Sequence, residues 1–106
     1  MTATPVTPVP GLASQVSTGG VAVTFAPGGV QGGFITNPAS NVDQGISPSA
    51  AENLYIDPTG AAATLSANGT CFALAPGQTW VLIPGQTTST SVNAATSGHK
   101  FSGIVT

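Results

Sequence analysis

Nucleophilic catalysis by serine needs a hydroxyl, an imidazole to take its proton and a carboxylate to orient that imidazole. The chain has serines throughout, a single histidine, His99, and three carboxylates, Asp43, Glu52 and Asp57. A Ser–His–Asp site can be drawn on paper with Asp43 or Asp57, but no Gly-x-Ser-x-Gly elbow supports it. His99 follows Ser97-Gly98 and reads as an exposed turn histidine leading into the last strand, beside Lys100, the only cationic side chain. The carboxylates could instead act as acid and base or as hard oxygen ligands. Their spacing matches no calcium-loop pattern, and Asp57, which precedes Pro58, reads more simply as a turn-starting residue. Cys71 is the lone cysteine, so neither an internal disulfide nor a cysteine-based metal cage is expected. No neighbouring base or positive charge would lower its pKa, and it reads as a structural thiol. Tyr55 and Trp80 could form a sugar-stacking platform, against the simpler reading that both supply buried area. Asn68-Gly69-Thr70 fits the glycosylation acceptor pattern and is also a tight-turn sequence. We therefore assign no catalytic, cofactor-binding or metal-ligating residue, and expect a protein that is not an enzyme and needs no cofactor.

Such residues must be held by something, and the composition bounds what that is. A chain of 106 residues, 41% of them hydrophobic, is long enough for one domain with a modest core. Only 4% of residues are charged, where roughly 25% is usual. Solubility must then rest on Thr, Ser, Asn and Gln, and little like-charge repulsion keeps copies apart. That balance favours life inside an assembly, as a homo-oligomer, or outside a cell. One lysine and no arginine give no electrostatic footprint for nucleic acid and no polybasic membrane contact. No apolar run approaches membrane-spanning length. MTATPVTPVPGLA has neither a basic nor an apolar signal region, so no secretory signal is expected. Export would then follow cell lysis or a route not written in the chain.

Residues 1–11 carry Pro5, Pro8 and Pro10, which favour an extended arm that does not join the core as a regular strand. The domain proper is expected over 12–106. Val21, Val23 and Phe25 alternate with small or polar residues, as in a half-buried strand. Residues 32–36 resume an extended pattern and stop at Asn37-Pro38, so the pair could form a hairpin. Residues 39–52 are irregular, with room for one helical turn over 47–52 capped by Ser47. Further strands are expected over 53–56, 70–74, 80–83, 90–94 and 99–105, with a short one around Thr64 and Leu65 in question. Pro-Gly-Gln-Thr occurs at 76–79 and again at 84–87. Proline presets the first central φ of a type II turn and glycine accepts the second, so the repeat reads as punctuation at the two ends of one strand. A phosphate-cradling loop would open onto a helix, and nothing helical follows either glycine. About seven short strands separated by turns make an all-β fold, a single small sandwich or barrel of antiparallel strands with an extended N-terminal arm.

GGFITNP (32–38), ENLYIDPTG (52–60), FALAPGQTW (72–80) and SGHKF (97–101) resemble segments of small β-sandwich proteins encoded among bacteriophage structural genes. The resemblance spans roughly residues 32–105 and carries over no site residue. It implies a virion location and a structural role, foremost as a decoration or cement protein on the head, with the major capsid protein or other virion subunits as partners. A head–tail connector or tail component is the alternative within that class. From another class, a carbohydrate-binding or adhesive module would use Tyr55 and Trp80.

Overall fold

The computed structural model describes residues 7–47 and 50–106. Its elements in chain order are β1 (Val9–Pro10), β2 (Gln15–Val16), β3 (Val23–Ala26), β4 (Gly33–Thr36), α1 (Asn41–Gln44), β5 (Leu54–Asp57), β6 (Phe72–Leu74), β7 (Thr79–Val81), β8 (Thr90–Asn93), β9 (His99–Lys100) and β10 (Ser102–Val105). Two four-stranded antiparallel sheets, β1-β10-β4-β7 and β3-β8-β5-β6, enclose the core, and the short pair β2-β9 lies beside them. The expected all-β class holds, with ten strands among the described residues in place of about seven. The difference comes from two-residue strands and from a break at Phe101 that splits the last segment in two.

Alternation carries most of the core. Ile35 on β4, Leu54 and Ile56 on β5, Leu82 after β7 and Val92 on β8 are fully buried. Phe72 and Trp80 pack on the same cluster, their rings 5.2 Å apart across the two sheets. β3 departs from alternation. Its register against β8 shifts between Thr24 and Ala26, so Phe25 and Ala26 are both buried. A bulge inserts one residue and re-aims the side chains that follow. Here it leaves Ala26 buried as well as Phe25, which packs edge-on to Phe101 with ring centroids 5.9 Å apart. Gly11 makes room for it, since a Cβ there would stand 2.2 Å from the Phe25 Cε1.

Both Pro-Gly turns form as expected. The N–H of Gln78 donates to the carbonyl of Ala75 and that of Gln86 to the carbonyl of Ile83, with Gly77 at φ 83° and Gly85 at φ 75°. They bracket β7, as punctuation should.

Four expectations are corrected. Residues 21–36 do not make a hairpin, because β3 and β4 belong to different sheets. Val9–Pro10 joins a sheet after all, pairing with β10 at the rim, while residues 1–6 lie outside the described set. The stretch expected to be irregular holds a helical turn at 41–44, while the turn expected over 47–52 includes Pro48 and Ser49, which lie outside the described residues. The Ser40 side chain accepts from the N–H of Asp43 and Gly45 ends the turn at φ 72°, so Ser40 and Gly45 supply its cap and stop signals. Thr64 and Leu65 are not in a strand. Residues 58–71 instead cross the outer face of the β3-β8-β5-β6 sheet. The N–H of Ala63 donates to Ser91 Oγ (2.7 Å), Ser91 Oγ donates to the carbonyl of Ala61 (2.8 Å), and Asn93 Nδ2 donates to the carbonyl of Ala63 (2.9 Å). β8 is thereby buried on both sides.

Candidate functional site

Two places concentrate chemistry: a buried polar cluster and one open sheet face. The cluster forms where β4 ends. Pro38 keeps the preceding residue extended, and Asn37 turns its side chain inward, fully buried. Its Nδ2 donates to the carbonyls of Glu52 and Leu74, both at 2.9 Å. Its Oδ1 accepts from Gln44 Nε2 at 3.0 Å and lies 2.9 Å from His99 Nε2. An amide oxygen only accepts, so Nε2 carries the imidazole proton. The α1 turn delivers Gln44, whose Oε1 accepts from the N–H of Glu52 (2.9 Å) and whose Nε2 also reaches the carbonyls of Pro38 and Glu52. Thr96 Oγ1 donates to Glu52 Oε1.

His99 is therefore not the exposed turn histidine its neighbours suggested. Its side chain has 0% exposure, because the β2-β9 pair folds it inward against β4. Its Nδ1 lies 3.5 Å from Glu52 Oε2, and neither atom has a hydrogen-bond partner. Desolvation lowers the His99 pKa, and the neighbouring Glu52 offsets only part of that. The unfolded histidine, titrating near 6.5, then binds its proton more readily than the folded one. Folding stability contributed here is present above pH 6.5 and declines as pH falls from there to the folded pKa. An NMR titration of the single imidazole is expected to give a midpoint below 6.5, with urea midpoints falling over the same window; a midpoint above it contradicts the assignment.

Asp57 ends β5. Burial pushes its pKa up, but the hydroxyl and N–H of Thr59 and the hydroxyl of Thr70 outweigh that and hold it below 3.8. These bonds make the turn-starting role expected of it. Asp43 lies exposed in α1, away from both other carboxylates. Among the described residues no group of three His, Cys, Asp or Glu side chains is placed to hold a metal ion. Cys71 is buried just before β6, its Sγ 3.7 Å from the carbonyl of Thr64. Tyr55 and Trp80 are not brought together. Trp80 packs inward on Phe72, while Tyr55 lies on the opposite side of β5 from the buried Leu54 and Ile56. The described residues enclose no ligand-sized cavity. The cluster ties the end of β4 to the segments that carry Glu52, Leu74 and His99.

The open face is the outer side of the β1-β10-β4-β7 sheet. Pro10 stands opposite Ile104, Ile104 opposite Phe34, and Phe34 opposite Val81. These four form one apolar row across every strand, with Phe34 37% and Val81 66% exposed. Ser102, Thr36 and Thr79 form a hydroxyl row beside it, with Thr36 and Thr79 hydrogen-bonded at 2.6 Å. No charged side chain stands in either row. The other sheet's outer face is covered by residues 58–71, so this is the sheet face whose apolar residues meet solvent directly.

Asn37, Gln44 and the exposed row were not singled out from the sequence. One signal for the amides was present: a chain almost without charge must satisfy its buried polar groups with Asn, Gln, Ser and Thr. Compared with protein-family models, curated proteins and solved structures, the chain matches none. No helix among the described residues is long and apolar enough to cross a membrane.

Proposed function

We propose that the chain is a non-enzymatic structural component of a bacteriophage virion, a decoration or cement protein seated on the head. The observation that carries this reading is the exposed row Pro10, Ile104, Phe34 and Val81 on an uncharged sheet face. Contiguous exposed apolar surface rimmed by polar residues marks an interface. The near-absence of charge and the resemblance of residues 32–105 to phage structural proteins support the same conclusion. A head–tail connector or tail position uses the same surface with another virion partner. Residues 1–8 precede β1 at the rim of that face and supply the anchoring arm.

The test adds purified protein to particles that lack it and measures occupancy at low and high salt. Apolar and backbone contacts are weakly screened, so occupancy of the intact protein should change little with salt. Phe34→Asp removes an aromatic anchor and adds a charge, and should weaken binding by about tenfold or more. Deleting residues 1–8 leaves β1 in place and should also reduce occupancy. Loss of the intact protein at moderate salt, or undiminished binding by Phe34→Asp, would overturn the reading.

A further inference from the structure

β7 lies at the rim of its sheet, and its ladder fixes which backbone groups face outward. The N–H of Leu82 donates to the carbonyl of Gly33 at 2.9 Å, and the N–H of Asn37 donates to the carbonyl of Gln78 at 3.0 Å. Ile35 stands opposite Trp80 between them. Antiparallel strands alternate in the direction of their polar groups. Residues 78, 80 and 82 therefore face β4, and Thr79, Val81 and Ile83 turn theirs to the rim. The Ile83 carbonyl accepts from the N–H of Gln86 in the following turn. Among the described residues no hydrogen bond reaches the N–H or C=O of Thr79 or Val81, or the N–H of Ile83. The side chains beside these groups are apolar, with Val81 66% and Ile83 54% exposed. Natural rims are usually guarded by charge, proline or a bulge. From Thr79 to Ile83 there is none.

The other three rims of the two four-stranded sheets are obstructed. Proline has no N–H, so of the pairs Val9–Val105 and Pro10–Ile104 only the first can exchange two bonds. That turns the nitrogens of Pro8 and Pro10 outward, where they offer no donor. At β3 the carbonyl of Phe25 already accepts from the N–H of Leu12 (2.8 Å). At β6 the carbonyl of Leu74 already accepts from Asn37. Among the described residues, β7 is the one rim of the two four-stranded sheets left free to add a strand.

We infer that β7 pairs antiparallel with β7 of a second copy of this chain, across a two-fold axis at Val81. Val81 of each copy then exchanges N–H···O bonds with its counterpart, and the N–H of Ile83 meets the carbonyl of Thr79 across the axis. The two four-stranded sheets become one of eight, and the apolar rows join end to end. A free rim can pair only with another free rim, and among the described residues each copy has one on its four-stranded sheets. Association therefore stops at two, an isologous contact, and no fibre grows. The paired segments are uncharged, so no repulsion opposes them. This inference does not rest on the virion reading.

Analytical ultracentrifugation of the isolated protein over a series reaching about 100 µM tests it. The wild type is expected to shift from monomer to dimer and no further. Amide exchange at Val81 and Ile83 should slow as the dimer forms. Val81→Pro removes the donor at the axis without touching the β4 ladder and should remain monomeric. Val81→Lys decides the matter if the proline variant does not fold. Its side chain is exposed, and like charges at the axis should raise the dissociation constant more than tenfold, while Val81→Thr should dimerise like the wild type. A wild type monomeric throughout, a Val81→Lys protein that dimerises normally, or a dimer whose Val81 and Ile83 amides exchange freely would overturn the inference. A monomer that instead binds an extended peptide at β7 would do the same.

Discussion

Replacing Asn37 with alanine is expected to lower the unfolding free energy by about 3 kcal/mol or more. The side chain is fully buried and meets four groups: the carbonyls of Glu52 and Leu74, the amide of Gln44 and the imidazole of His99. Truncation strands the Leu74 carbonyl and the His99 Nε2–H without these partners, and a stranded buried polar group costs about 1–3 kcal/mol. The Glu52 carbonyl keeps Gln44 as a donor, so its loss is smaller. The His99 ring, whose Nδ1 lies 3.5 Å from Glu52 Oε2, also loses the bond that fixes its orientation. Domains of this size are stable by about 5–15 kcal/mol, so the variant should fold but unfold at much lower denaturant. A urea midpoint shift equivalent to less than about 1 kcal/mol would show that the cluster is not what ties these strands together.

Phe25→Ala should cost a similar amount, about 3–5 kcal/mol, through a cavity at the centre of the core. Phe25 is 1% exposed and packs edge-on to Phe101. Gly11 provides an internal control. The three atoms nearest a Cβ on Gly11 all belong to the Phe25 ring. Gly11→Ala should therefore destabilise the wild type and be close to neutral once Phe25 is alanine. Such coupling in a double-mutant cycle is the mark of a shared contact. Additive losses would mean that the ring yields and the two residues do not constrain each other.

The two effects illuminate what could be read in advance. Phe25, Phe72, Leu74, Trp80 and Leu82 were legible as core residues because alternation is a local property. A strand with one buried face needs an apolar residue at every second position. Pro76-Gly77 and Pro84-Gly85 were legible for the same reason, since a type II turn is set by two adjacent φ angles. The lack of a surface charge pattern was legible from composition and bears on partners more than on fold.

Asn37 was read only as the stop of a strand, and His99 only as a turn residue. Nothing near either one in the chain says otherwise. Four segments far apart in the chain meet at Asn37: GGFITNP contributes it, ENLYIDPTG contributes Glu52, FALAPGQTW contributes Leu74 and SGHKF contributes His99. In a chain with so few charges, a buried amide holds these segments together.

By itself, then, the sequence determined the all-β class, the positions of the turns and which side of most strands is buried. Each of these depends on neighbours within a few residues. Only the tertiary structure decided that β3 and β4 part to different sheets, that His99 is buried and that β7 is left with an open rim. Strand order depends on contacts such as that between Asn37 and His99, 62 residues apart, and an alternating strand presents the same pattern to any partner. Which rim stays open is the residue of that choice, because a backbone N–H is free only when no other strand has claimed it.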